Sequence, residues 1–174
     1  MRACTKKPGF TIVELLMSLT ITAMLLSAVG VAMQASLGSY QANEKIAAVT
    51  QTGRFAIDKM MADVRRADAV STTSSRLTII PPDDGSGLQQ VQYEYVTGGT
   101  LYYRRTVTGS TSSYVLIGGD GEVAVSSLVF TSLMAQDDHG VWYTKNVTAC
   151  MTLSLGGQPM VLSASASPRR SQTY

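Results

Sequence analysis

The chain is poor in the residues on which most catalytic and metal sites are built. In 174 residues it has one histidine, His139, and two cysteines, Cys4 and Cys150. The lone imidazole sits in Asp137-Asp138-His139-Gly140, where no second, spaced cluster completes a metal site and no serine or threonine is given a base. A Gly-x-Ser-x-Gly elbow and a phosphate-binding loop are both missing. Asp83 and Asp84 have oxygens to offer a calcium ion, but their loop lacks the alternating acidic ligands of a calcium site. The expectation is a protein that is not an enzyme, with no catalytic residue, no metal and no cofactor. A basic surface is missing as well. The arginines come as pairs (Arg65 with Arg66, Arg104 with Arg105, Arg169 with Arg170) rather than as a patch interleaved with aromatics, which argues against a nucleic-acid partner.

Two further absences shape the N-terminal half. Proline is missing from Phe10 to Ile80, and charge is missing from Leu15 to Asn43. Without proline, one uninterrupted helix from Phe10 to about Asp68 is allowed. Without charge, the run to about Met33 offers roughly 20 apolar residues, enough to cross a bilayer. Glu14 stands at its edge. An acid deep in hydrocarbon costs about 2.5 to 3.5 kcal/mol, so an ionisable residue in such a segment usually has a partner and a task. Arg2, Lys6 and Lys7 precede the run, and the positive-inside rule puts that end in the cytoplasm. A secretory signal peptide and an ordinary single-span anchor share this outline, with Ala28, Gly30, Ala32 and Ala35 as small residues for a signal cleavage site. Against the signal peptide stand the length of the run, beyond the usual ~7 to 15 residues, and the acid at its start.

Past the apolar run, Ile46, Val49, Gly53, Ile57, Met60, Val64 and Ala67 recur at spacings of three or four, the stripe of an amphipathic helix. The opposite face carries Arg54, Asp58, Lys59 and Asp63, as two oppositely charged pairs four residues apart. Gly30 and Gly38 are the weak points of the helix, each disfavoured by about 1 kcal/mol relative to alanine. The small polar run Ser71 to Ser75 ends it. Strand patterns follow at Arg76–Ile80, Gln90–Val96, Leu101–Val107, Tyr114–Ile117, Glu122–Leu133, Val141–Leu155 with a break near Lys145-Asn146, and Met160–Ser167. Gly98-Gly99 marks a hairpin, and glycine-rich turns at 81–85, 118–121 and 156–157 separate the others. The expected fold is α+β, a long N-terminal helix (transmembrane first half, amphipathic second half) packed on a small antiparallel β-sheet domain. Tyr93, Tyr95, Tyr102, Tyr103 and Tyr114 fit cross-strand pairing and core filling better than an exposed binding strip.

The order Lys6-Lys7-Pro8-Gly9-Phe10-Thr11-Ile12-Val13-Glu14-Leu15-Leu16 resembles the N-terminus of type IV prepilins and of the pseudopilins of type II secretion systems. Only Pro8 before the glycine departs from that pattern. The resemblance implies a pilin-like fold and a division into a leader over residues 1–9, a transmembrane and filament-core helix over 10–35, its amphipathic continuation over 36–68 and a β-rich globular domain over 69–174. It implies cleavage between Gly9 and Phe10, N-methylation of Phe10, and a Glu14 that neutralises the N-terminal amine of a neighbouring subunit. The last has a physical basis, because a desolvated opposite charge nearby favours both charged forms. With the leader would go Cys4 and three cations, turning the formal charge of +2 into about −1. Cys150 would then have no intramolecular partner, and in an apolar strand it is expected in the core.

Two stretches narrow the resemblance. Arg54-Phe55-Ala56-Ile57-Asp58-Lys59-Met60-Met61-Ala62-Asp63-Val64-Arg65-Arg66-Ala67 is similar to the end of the long helix in J-type minor pseudopilins and PilW-type minor pilins. Val91-Gln92-Tyr93-Glu94-Tyr95, with Gly99-Thr100-Leu101-Tyr102-Tyr103-Arg104-Arg105, is similar to their first hairpin. What this implies is a structural subunit of a type II secretion pseudopilus or a type IV pilus-like filament, near the tip, with a part in starting assembly. The implied partners are a prepilin peptidase and methyltransferase, other pilin or pseudopilin subunits, the inner-membrane assembly platform and secreted cargo. The implied location is the bacterial inner membrane, single-pass, with the globular domain in the periplasm or on an extracellular filament. The contrasting expectation is a single-span, membrane-anchored ligand- or cargo-binding protein that never enters a filament.

Overall fold

The structure, a computed structural model, describes residues 9–118, 123–155 and 158–169. Helix α1 runs over Ile12–Arg66 and is followed by eight strands: β1 (Ala69–Thr72), β2 (Arg76–Ile80), β3 (Leu88–Val96), β4 (Thr100–Val107), β5 (Ser110–Ile117), β6 (Ala124–Gln136), β7 (Trp142–Leu155) and β8 (Gln158–Ala166). The chain divides into two compact units, Met1–Glu44 and Lys45–Tyr174.

In the first unit every described residue from Gly9 onward is exposed. Its hydroxyl side chains do not stay idle. Ser18, Thr20, Thr22, Ser27 and Ser39 each donate to a backbone carbonyl three or four residues earlier, at 2.7–3.1 Å. A hydroxyl satisfied inside its own helix is the kind that hydrocarbon tolerates, because it asks nothing of the surroundings.

The second unit holds the α+β arrangement, with all strand pairs antiparallel. The strands form two sheets rather than the single small one expected: a five-stranded meander in the order β1 to β5, and a three-stranded one in the order β6, β7, β8. Val49, Gly53, Ala56, Ile57, Met60, Met61 and Val64 are the buried side of α1. This one stripe serves both sheets. Thr50 reaches Met160 of β8, and a Cβ added at Gly53 would lie 2.4 Å from the tips of Leu153 and Leu162, so the helix sits hard on β7 and β8 there. Farther along, Asp63 accepts the phenol of Tyr93 on β3, and Lys59 lies 4.8 Å over the ring of Tyr103 on β4. Lys59 and Asp63, expected to pair with each other, face different partners instead. Ile46, expected in the stripe, is 50% exposed; burial begins one turn later, at Val49.

Strand β1 was not expected, since Ala69-Val70-Ser71-Thr72 has one large apolar residue and no legible alternation. Its partner supplies what its composition lacks: Val70 opposes Ile79 and Thr72 opposes Leu77. The helix ends at Arg66, ahead of the expected stop at Ser71–Ser75, where Ser71 and Thr72 finish β1 and residues 73–75 turn into β2, with Thr73 N–H donating to the Arg76 carbonyl at 2.8 Å and Arg76 N–H to the Thr73 hydroxyl at 3.1 Å. The break foreseen at Lys145-Asn146 is a bulge within a continuous β7, Leu133 facing Asn146 while Met134 faces Thr144. Gly98-Gly99 closes the β3–β4 hairpin, both at positive φ. Gly118 is needed for a different reason, because a Cβ there would stand 2.5 Å from the Gly99 carbonyl oxygen. The turns at 119–121 and 156–157 lie outside the described residues. Cys150 is a correction: it is exposed. Along β7, Val147, Ala149, Met151, Leu153 and Leu155 point inward, so the alternation turns Cys150 to the opposite face, across from Val129 and Ser163.

Candidate functional site

The residues singled out for function cluster at the start of α1. Gly9 and Phe10 precede the helix without regular structure, and Thr11 is the residue before its first turn. The Thr11 hydroxyl accepts from Glu14 N–H at 3.3 Å, and the Thr11 carbonyl accepts from Leu15 N–H at 3.2 Å. Thr11 is therefore the N-cap and Glu14 the third helical residue, the spacing of a capping box. The signal was present in the sequence as Thr-x-x-Glu and was passed over. It matters because it gives Glu14 a local role: a carboxylate in the first turn complements the positive end of the helix dipole.

Phe10 is 79% exposed. Among the described residues, a Cβ added at Gly9 would meet nothing within 4 Å, so no contact with them calls for glycine there. The same holds for Gly30 and Gly38. Arg2, Cys4, Lys6, Lys7 and Pro8, of the expected leader, lie outside the described residues. From Ile12 the helix is long and apolar enough to cross a membrane, with none of its most apolar window buried in the chain.

The other candidates fall in the globular unit. Asp137 closes a turn, its carboxylate accepting from the backbone N–H groups of His139 at 3.0 Å and Val141 at 2.8 Å. Asp83 and Asp84 do the same for Gly85 and Ser86 at 3.1 and 2.9 Å. The Ser86 contacts hold the Asp84 carboxyl below its ordinary value. Among the described residues, no group of three His, Cys, Asp or Glu side chains is placed to hold a metal ion.

The tyrosines form a row rather than a strip of free rings. Tyr93, Tyr103 and Tyr114 are in register across β3, β4 and β5, with ring centroids 5.3 and 6.3 Å apart. Tyr93 is wholly buried and donates to Asp63 Oδ2 at 2.6 Å. Burial and the Asp63 carboxylate together push its phenol far above the ordinary range, and Tyr103 is raised by burial and by the same carboxylate. Tyr95 donates to the Ser126 carbonyl at 3.2 Å, tying one sheet to the other. On the far face of the five-stranded sheet, Glu94 pairs with Arg76 and, at 2.8 Å, with Arg104. Tyr102 lies 6.0 Å beneath the Arg104 guanidinium.

Neither the curated proteins nor the solved structures contain a match to this chain. A family model does match its beginning: residues 4–30 fit the prokaryotic N-terminal methylation motif. The matched stretch contains Gly9, Phe10, Thr11 and Glu14 and extends to Gly30 in the apolar helix. A motif of this kind implies processing by a prepilin peptidase and assembly with other pilins, and it is joined here to the one membrane-capable helix among the described residues. The chain carries, over residues 4–30, the N-terminal methylation motif of type IV prepilin-like proteins.

Proposed function

We propose that this chain is a minor pilin-type structural subunit, cleaved between Gly9 and Phe10, methylated on Phe10, and assembled through its apolar helix into a type II secretion pseudopilus or a type IV pilus-like filament. The observation that carries the reading is the methylation motif running directly into a helix whose apolar side chains have no cover from the chain itself. Before assembly the bilayer supplies that cover; in a filament the helices of neighbouring subunits supply it. Glu14 has two tasks in this scheme, complementing the positive end of its own helix dipole from the first turn and neutralising the Phe10 amine of a neighbour. The J-type or PilW-type position near the tip, a part in starting assembly, and contact with secreted cargo follow from the weaker likeness of residues 54–67 and 91–105. The inner membrane holds the subunit by one span, with the globular unit in the periplasm or on an extracellular filament.

The experiment that tests this is the intact mass and N-terminal residue of the protein made in its own host. A start at N-methylated Phe10 is the expected result. A start near Ser36 identifies a secreted domain, and a start at Met1 or Arg2 identifies an uncleaved anchor; either overturns the proposal.

A further inference from the structure

A cleft of about 450 Å³ opens on the globular unit, lined among others by Asp68, Val70, Met134, Trp142, Lys145 and Arg169. Its walls come from four places in the chain: the exit of α1 into β1, the end of β6, the start of β7, and the segment after β8. The Thr144 hydroxyl donates to the Val70 carbonyl at 2.9 Å and so fastens edge strand β1 to β7 beneath it. The size is that of a ligand pocket, and the lining has the usual character of one, an apolar wall with a few polar groups.

Three features say what fits. Trp142 is 65% exposed, and Met134 is half-exposed, so the largest apolar side chains here serve no core. Lys145 and Arg169 stand against the single acid Asp68, giving the cleft an excess of positive charge. Neither cation has a salt bridge among the described residues, where the ion pairs are those of Glu94 with Arg76 and Arg104. The Val70 carbonyl of edge strand β1 is already held by Thr144, so an occupant is held by side chains rather than as an added strand, and a lining that sets apolar and cationic side chains together suits a chain segment carrying both kinds of group better than a small molecule carrying one. We propose that this cleft binds an extended acidic peptide segment of a partner protein, its aromatic or branched apolar side chain against Trp142 and Met134 and its carboxylate on Lys145 and Arg169. The inference goes beyond filament assembly and is independent of it.

Trp142 is the one tryptophan of the chain, so its fluorescence reports on this cleft. The full chain in detergent micelles is titrated with the capped peptide acetyl-Glu-Phe-Glu-Leu-Glu-amide, with acetyl-Lys-Phe-Lys-Leu-Lys-amide, and with sodium acetate. A saturable change with the acidic peptide is expected, and none with the other two. Lys145→Glu and Arg169→Glu, both on exposed side chains and checked for wild-type melting, are expected to weaken binding by about tenfold, since like charges replace attractive ones. Trp142→Ala, followed by calorimetry, is expected to abolish it. Overturning results are no saturable response, an equal response to the lysine peptide or to acetate, or charge-reversed variants that bind as the wild type does.

Discussion

The two units solve the same problem in opposite ways. From Gly9 to Ala48 every residue is exposed, and side chains such as Ile12, Met24 and Val31 offer more than half their surface. From Val49 onward the same helix buries a continuous stripe against two sheets. Apolar surface removed from water contributes about 25 cal/mol per Å², and the second unit collects that contribution from its own strands. The first unit has nothing in the chain to collect it from. A contiguous exposed apolar surface of this extent marks an interaction with lipid or with protein, and the first half of this helix is long and apolar enough to cross a membrane while the second half is domain core.

The largest effects are expected where the comparison is broken outright, at the motif. Gly9→Glu places a bulky charge where the chain itself has open space, and the prediction is complete loss of cleavage, read as a precursor-sized band. A mature-sized product would put the cut elsewhere. Glu14→Ala is predicted to leave cleavage largely intact and to impair incorporation into filaments. A second variant supplies a control. Glu14→Gln keeps the length and shape of the side chain and removes only its charge. If the glutamine variant assembles normally while the alanine variant fails, pairing of the carboxylate with the amine is discarded and the shape of the side chain is the reason for the glutamate.

Glycine sharpens the contrast between the units. Gly53→Leu drives a side chain into the tips of Leu153 and Leu162, where even a Cβ would stand at 2.4 Å, and overpacking of this kind costs about 3 kcal/mol. A lower midpoint of thermal unfolding, followed by near-ultraviolet circular dichroism, is expected. Gly30→Leu meets nothing within the chain and is predicted to leave that midpoint unchanged. An equal loss from both would mean that the two units do not differ as described.

How much of this was legible beforehand depended on whether the signal was local. Proline-free length, uncharged run and the order Gly9, Phe10, Glu14 are one-dimensional, and the motif match over residues 4–30 includes the last three and the beginning of the uncharged run. The helical stripe was readable because its period is fixed by geometry; it differs at Ile46, which is exposed, at Ala67, which lies past the helix end, and at Lys59 and Asp63, which meet Tyr103 and Tyr93 instead of each other. Strand β1 was illegible because its stability lies in pairing with β2, not in its own pattern. The division into two sheets depends on which strands neighbour one another, which composition does not encode. Cys150 differs from the expectation of a core position because an apolar composition does not say which face a residue takes, and β7 buries the alternate residues Val147, Ala149, Met151, Leu153 and Leu155. The Thr11 N-cap, whose hydroxyl accepts from the Glu14 N–H, is a local signal, written in the sequence as Thr-x-x-Glu.

Tyr93 tests whether the second unit depends on polar as well as apolar burial. Tyr93→Phe leaves the Asp63 carboxylate without its 2.6 Å donor, and losing a hydrogen bond to a charged group costs about 1.5 kcal/mol or more. The pH dependence carries its own sign. The folded state holds the Tyr93 proton more tightly than the unfolded chain, whose phenol has the ordinary value of 10.0. Stability is therefore full below that value and falls as the pH rises above it. Tyr103 contributes in the same direction. The phenylalanine variant should show a shallower alkaline loss in denaturant midpoints. A slope identical to that of the wild type would remove Tyr93 from the account.

The smallest effect belongs to the outer face, where Glu94 bridges Arg76 and Arg104. The glutamate side chain is 14% exposed and its partners are 45% and 35% exposed, so water screens the arginine ends more than the acid. Exposed pairs contribute at most about 1 kcal/mol, and Glu94→Gln is predicted to cost about that, measured by urea unfolding at low salt. Raising the salt should shrink the difference, since screening weakens exposed charges first. A double-mutant cycle of Glu94→Gln with Arg104→Ala separates attraction from packing, because Arg104 also lies over the Tyr102 ring. If the coupling is nil while Arg104→Ala alone destabilises, the arginine acts through its contact with the ring. The face opposite the helix would then be held by the same aromatic packing as the face beneath it.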